Sequence, residues 1–315
     1  MPSEFFHPRY WPTWLGVAPL RLSVFLPWSF QMLLGKGLGK LLYFALPSRR
    51  KVSAINLEIA FPDLTSSELE QRNRQHFISL GKGLFEAALG WWGTDKQIKK
   101  LAHTEGLEHL ENTLKKHPVI LLGAHFVSLE MLGRIVALHM PLHAVYRPHQ
   151  NKLLDYLVDR QRNKQYGKVI PKNNIRDMIK SIKNGFPVWY ATDQNYRSKG
   201  SILVPFFGIE TPTNTGTSRL ARMTNAKIIP CITVRLDDKN EKRKGYLLRV
   251  LPPLEDFPSD DLLKDTSRLN TIIEEQIQDF PSQYLWTHKR YKNYASEKRD
   301  FYKEYPDSAL RNKKT

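Results

Sequence analysis

The stretch VILLGAHFVSLEMLGR, residues 119–134, constrains the fold more than any other part of the chain. An apolar run ends in Gly123-Ala124, His125 follows at once, and a helix-forming pattern begins near Val127 or Ser128. A short unbroken apolar run bounded by turn residues is the pattern of a strand buried on both faces. The same texture recurs in LHAVYRP, PVWYATDQ, AKIIPCITVR and YLLRVLPP, with helical stretches at Ser128–Leu138, Asn151–Gln165 and Asn174–Asn184 between them. Buried strands alternating with helices predict an α/β fold, a central and mostly parallel sheet flanked by helices. Upstream, the chain from about Ser53 to Leu114 reads as helical. Thr65 or Ser66 is the N-cap of a helix reaching Leu89, whose apolar face carries Phe77, Leu80, Leu84 and Phe85.

In a sheet of this kind chemistry collects at the carboxyl ends of the strands, where the sequence sets His125. Glu130 stands five residues further on. On one continuous helix that spacing leaves the two side chains about 140° apart, so they would not share a face. The pair works only if His125 precedes the helix and Glu130 sits in its first turn, from where a carboxylate reaches back to one ring nitrogen. It would then fix the tautomer while the other nitrogen takes a proton. No G-x-S-x-G element accompanies the pair and Cys231 belongs to a different strand. A histidine base without a protein nucleophile suits direct transfer, in which a substrate hydroxyl is deprotonated and attacks an activated carbonyl. Spacing alone leaves open a histidine that is merely satisfied by a backbone carbonyl.

The segment from Tyr10 to about Leu34 is apolar and aromatic, with Arg21 as its only charge. Its length matches the roughly 20 residues a membrane span requires, and Trp11, Trp14 and Trp28 lie toward its ends as an interfacial belt would. Pro12, Pro19 and Pro27 argue for the alternative, a segment lying in the interface. The expectation is an N-terminal anchor helix crossing a membrane once. Lys36, Lys40, Arg49, Arg50 and Lys51 behind it would keep the rest of the chain in the cytoplasm. GKGLGK, residues 35–40, fits neither phosphate-loop template and reads as small residues in a helix–helix contact.

Charge narrows the partners. With 48 Lys and Arg against 31 Asp and Glu, the net charge of +17 attracts polyanions. Nucleic acid is one class of polyanion, but no nucleic-acid motif is present and the aromatics do not interleave with basic residues as a platform. The single cysteine rules out an intramolecular disulfide, and no Cys/His cluster suggests zinc. Neither a metal nor a bound cofactor is expected. Three regions follow: residues 1–50 as anchor and basic juxtamembrane segment, 51–292 as the α/β domain, and 293–315 as a charged tail.

His125 and Glu130 match the H-x4-D/E motif of the lysophospholipid acyltransferase superfamily. The surrounding chain resembles the late acyltransferases of lipid A biosynthesis, of the Kdo2-lipid IVA lauroyltransferase type. The resemblance rests on HPRYWPTWLG (7–16), GKGLGK (35–40), NLEIAFPDL (56–64), GAHFVSLE (123–130), VYRPHQN (145–151), VWYATDQNY (188–196), TGTSRLARM (215–223) and YLWTHKRYK (284–292), in that order. It implies transfer of a fatty acyl chain from acyl carrier protein to the hydroxyl of a 3-hydroxyacyl chain on the lipid A precursor, at the cytoplasmic face of the bacterial inner membrane. It further implies His125 as base and Glu130 as its orienting partner, with Arg162 and Asp193 needed for activity and Arg147 near the site. Arg147 and Arg162 suit the phosphate or sugar-acid groups of the acceptor. The implied partners are acyl carrier protein, the lipid A precursor and anionic inner-membrane lipids. One departure bears on substrate detail. Where such members read D-x-D-Y-G, this chain has Asp193-Gln194-Asn195-Tyr196-Arg197. The rival readings are an acyltransferase of glycerophospholipids or other glycolipids and, from a different class, a basic membrane-associated nucleic-acid-binding or scaffold protein.

Overall fold

A computed structural model of the chain describes residues 1–196, 200–236, 244–294 and 300–304. The chain begins with helices α1 (Trp11–Ser23), α2 (Trp28–Ala45), α3 (Pro47–Ala60), α4 (Ser66–Trp92) and α5 (Asp95–Leu101). Then come β1 (Ala102–Glu105), α6 (Leu107–Leu114), β2 (Val119–Gly123), α7 (Leu129–Ala137), β3 (Leu142–Tyr146), α8 (Lys152–Tyr166), β4 (Gly167–Pro171), α9 (Ile175–Lys183) and β5 (Val188–Ala191). A hairpin of β6 (Ser201–Phe206) and β7 (Ile209–Asn214) follows, then α10 (Gly216–Thr224), β8 (Lys227–Arg235), β9 (Tyr246–Val250), α11 (Leu262–Asp279) and α12 (Phe301–Glu304).

The main sheet has strand order β1-β9-β8-β2-β5-β3-β4. Strands β8, β2, β5, β3 and β4 run parallel to one another, and β9 pairs with β8 antiparallel. The α/β expectation therefore holds. The period-2 alternation of a strand explains why β2 had to be apolar throughout. Ile120 and Leu122 feed the core on one face of the sheet, and Val119 and Leu121 feed the core on the other. Cys231 is fully buried in β8, and burial pushes its thiol up to about 12, consistent with an inert side chain. Helices α7, α8 and α9 each fall within a residue or two of the stretches read from the sequence. Strands β1 and β4 and the β6–β7 hairpin were not anticipated. Their burial is broken or partial, so the apolar pattern that betrays a central strand is missing.

The expected N-terminal span is corrected. Among the described residues no helix is long and apolar enough to cross a membrane. The apolar segment breaks at Phe25–Pro27 into two pieces. Proline at 27 has no N–H for helix α1 to continue through, and sits instead where a new helix starts. Helix α1 spans only about 20 Å. Helix α2 carries Lys36, Lys40 and Gln31 among its apolar residues. The single-pass inner-membrane placement falls with that span.

GKGLGK is a helix–helix contact, as its small residues suggested. Gly35 and Gly39 of α2 lie against Gly81 and its neighbours in α4. A Cβ built on Gly39 would stand 2.3 Å from the Phe77 carbonyl oxygen, and one on Gly81 would stand 2.3 Å from that of Gly35. Helix α4 itself starts with a capping box. The Thr65 side chain accepts from the Glu68 N–H and the Glu68 carboxylate accepts from that of Thr65. Most of the region 293–315 lies outside the described residues, but α12 packs inward. Tyr302 is buried and donates to Asn56 Oδ1 at 2.5 Å.

Candidate active site

Strands β2, β5 and β3 are consecutive in the sheet and parallel, so their carboxyl ends share one edge. His125 follows β2, Asp193 follows β5 and Arg147 follows β3. His125 and Asp193 meet there. The carboxylate takes the imidazole at Nδ1, 2.7 Å from Oδ1, and the His125 backbone N–H donates to Oδ2 at 2.9 Å. One carboxylate thus fixes both the ring and the main chain of a residue two positions past the end of β2. Asp193 is fully buried, whereas the His125 side chain is 27% exposed. Burial alone would raise the Asp193 carboxyl. The His125 charge, its two hydrogen bonds and the Tyr284 hydroxyl outweigh that and hold it at about 2. An ionised carboxylate only accepts, so in the neutral imidazole the hydrogen sits on Nδ1 and the lone pair on Nε2. Nε2 has no protein partner among the described residues. The Trp189 ring packs edge-on against the imidazole, 5.9 Å between centroids.

Glu130 does not take the position expected for it. Helix α7 begins at Leu129, and Glu130 in its first turn faces α8. There the carboxylate accepts from Arg162 Nε at 3.2 and 3.3 Å, from Arg162 Nη2, and from the Tyr166 hydroxyl. The guanidinium fork matches a carboxylate in two-point geometry, so both oxygens are engaged and Asp193 orients His125 instead. Burial would raise the Glu130 carboxyl, but the Arg162 charge and the Arg162 and Tyr166 hydrogen bonds prevail and lower it. Burial works against the Arg162 cation, but the Glu130 charge and hydrogen bond outweigh it and raise the guanidinium above its usual range. Both therefore stay charged.

Arg162 is thus committed to Glu130 rather than offered to solvent. Arg147 is exposed and makes no hydrogen bond or ion pair among the described residues. Beside the Glu130–Arg162 pair lies an apolar cavity lined by Leu132, Leu142, Ala144, Val145 and Trp189, with Glu130 and Arg162 in its wall. The departure at 195 has a local cause. The Asn195 N–H donates to His288 Nε2 at 3.0 Å, its side-chain amide donates to the Arg290 carbonyl at 3.1 Å, and its Oδ1 accepts from Asn293. A carboxylate at 195 could not donate to Arg290. Arg197 lies outside the described residues.

Sequence reasoning missed Tyr284, Tyr166 and His288. Tyr284 and His288 stand in YLWTHKRYK, a block already singled out, but nothing in one sequence says that this C-terminal block returns to the end of β2.

A sequence profile described as bacterial lipid A biosynthesis acyltransferase matches residues 2–293. The chain is 37% identical to the lipid A biosynthesis palmitoleoyltransferase of Escherichia coli K12 over 291 residues, which are 92% of this chain and 94% of that one. It is 37% identical to the lipid A biosynthesis lauroyltransferase of the same organism over 92% of this chain and 94% of that one. To a lipid A biosynthesis acyltransferase of Haemophilus influenzae it is 34% identical over 94% of each. With a match across nearly the whole chain and identities of this size, the protein is an acyltransferase that belongs to the bacterial lipid A biosynthesis acyltransferase family.

Proposed function

We propose that this enzyme transfers a fatty acyl chain from acyl carrier protein to the hydroxyl of a 3-hydroxyacyl chain on Kdo2-lipid IVA or its once-acylated form. His125 is the general base. The observation that carries the reading is the His125–Asp193 pair, with Nδ1 held by an ionised carboxylate and Nε2 without a protein partner among the described residues on a partly exposed side chain. Nε2 takes the hydroxyl proton as the oxygen attacks the thioester carbonyl. The tetrahedral intermediate collapses with loss of the thiolate, and the imidazolium returns its proton to that sulfur. Asp193 stabilises the imidazolium without itself being protonated. Arg147 binds anionic groups of the acceptor. Arg162 acts as the partner of Glu130, and that pair holds the wall of the apolar cavity next to the site.

The acceptor is a lipid, and the N-terminal helices offer it a surface. On α2 the residues turned away from α4 are Phe30, Leu33, Leu34, Leu41 and Phe44, all exposed, with Lys36 and Lys40 beside them. Helical spacing sets them on one stripe. An apolar stripe flanked by lysines suits an anionic lipid surface without crossing it.

Purified protein given an acyl carrier protein thioester and two acceptors, the lipid A precursor and lysophosphatidic acid, tests this reading. One added acyl chain on the lipid A precursor, seen by mass spectrometry, is expected. Acylation of lysophosphatidic acid alone would overturn it.

A further inference from the structure

The turn that carries His125 is clasped by a segment far away in sequence. The Leu285 N–H donates to the His125 carbonyl at 2.9 Å and the Val127 N–H donates to the Gln283 carbonyl at 2.8 Å. These form an antiparallel bridge between Phe126 and Tyr284. The Gln283 side chain anchors the clasp to the end of β8. It accepts from the Arg235 N–H at 2.8 Å and donates to the Arg235 carbonyl at 2.9 Å, as a neighbouring strand would. Within this clasp the Tyr284 hydroxyl donates to Asp193 Oδ2 at 2.9 Å.

We infer that Tyr284 is a positioning residue of the acyl transfer, acting on His125 through Asp193. This rests on the reading of His125 as the base. Asp193 Oδ2 receives two hydrogens, from the His125 main chain and from Tyr284, and Oδ1 is thereby left aimed at Nδ1. The phenol also draws charge from the carboxylate. A carboxylate that lost this donor would hold the Nδ1 hydrogen more strongly and make Nε2 a stronger proton acceptor but a poorer donor to the leaving sulfur. The tyrosine cannot ionise to escape the role, since burial and the Asp193 charge push its phenol far above the usual range. The groups facing this cluster are His125, Asp193, His288, Arg290 and Tyr291. His288 turns Nε2 to the Asn195 N–H as an acceptor, and among the described residues Tyr284 is the neighbour that donates to Asp193 besides His125.

Tyr284→Phe keeps the ring that packs on Phe126 and Trp286 and removes only the donor. With the full chain, an acyl carrier protein thioester and the lipid A precursor, kcat is expected to fall about ten-fold with KM within two-fold. The acid limb of the kcat/KM profile should move to higher pH. Incorporating 3-fluorotyrosine at 284 keeps the shape and strengthens the donor, and should move that limb to lower pH. Opposite movements in the two proteins support the role, and the fluorinated protein decides the matter where the phenylalanine variant folds poorly. Limbs that stay with the wild type in a folded protein overturn it. A wild type that acylates neither acceptor would instead remove the acyl-transfer reading itself.

Discussion

His125 and Glu130, five residues apart in sequence, belong to two separate charge networks. His125 Nδ1 sits 2.7 Å from Asp193, while Glu130 gives both oxygens to Arg162. The two carboxylates therefore differ in what their loss should do.

Asp193→Asn preserves shape and removes the charge that holds the Nδ1–H tautomer. An amide can turn its own NH2 toward Nδ1 and so direct the lone pair away from Nε2. By analogy with a triad that loses its carboxylate, kcat should fall by on the order of 10³- to 10⁴-fold. Thermal unfolding and steady-state rates on the same preparation check this. A fall of less than ten-fold would remove Asp193 from the proton-transfer geometry.

Glu130→Gln should damage stability as well as rate. It leaves the Arg162 cation in a site where its side chain is only 17% exposed, and breaking such a pair costs about 3–5 kcal/mol. The double variant Glu130→Gln/Arg162→Met removes both charges and should recover much of that stability while activity stays low. If the single variant unfolds at the wild-type temperature, the pair is not the support described above.

The apolar runs made β2, β3, β5, β8 and β9 legible, because strands covered on both faces are apolar at most positions, with His143, Thr233 and Arg249 among the exceptions here. The partner of His125 was not legible in the same way. A one-dimensional reading can see that Asp193 follows an apolar run, but strand order decides that β5 lies next to β2, and strand order is set by contacts between distant residues. The nearest carboxylate in sequence, Glu130, was therefore the natural candidate. The two-helix break at Pro27 was visible as a proline, yet apolar length outweighed it. Tyr284 was invisible because its role depends on a chain reversal that brings residue 284 to residue 126.

The small-residue crossing of α2 and α4 gives a paired prediction. Gly81→Ala places a methyl 2.3 Å from backbone atoms of Gly35 and Gly39, so the helices must part, at a cost of about 1–3 kcal/mol. Gly37→Ala meets nothing within 4 Å and should stabilise α2 by roughly 0.5–1 kcal/mol through helix propensity. Denaturant midpoints measure both. Equal effects would mean that close approach is not what the glycines at 35, 39 and 81 provide.

Acid should destabilise the fold through its buried histidines. Burial holds His288 at about 4 and His76 at about 4, below the ordinary 6.5. Between those values the unfolded chain binds protons that the folded chain refuses. Stability is therefore complete above about pH 6.5 and is lost as pH falls toward 4, by at most about 3 kcal/mol per histidine. In His288→Gln the amide oxygen can still accept the Asn195 N–H, but the titrating group is gone. Its melting temperature should fall less between pH 7 and pH 5 than that of the wild type. Parallel curves for the two proteins would show that His288 carries no part of the acid sensitivity.

The exposed stripe on α2 should bind lipid. Leu33, Leu41 and Phe44 are 60%, 62% and 66% exposed, and each would gain on the order of 1–2 kcal/mol on entering an interface. Replacing all three with Gln removes that apolar area without touching the Gly35–Gly39 face. Flotation with vesicles containing phosphatidylglycerol should retain the wild type and lose the triple variant, while His125→Ala floats as the wild type does. Raising salt should weaken the wild type only in part, because Lys36 and Lys40 supply the screened share of the attraction and the apolar stripe supplies the rest. Undiminished flotation of the triple variant would assign lipid contact to another face, and flotation abolished by salt alone would assign it to charge.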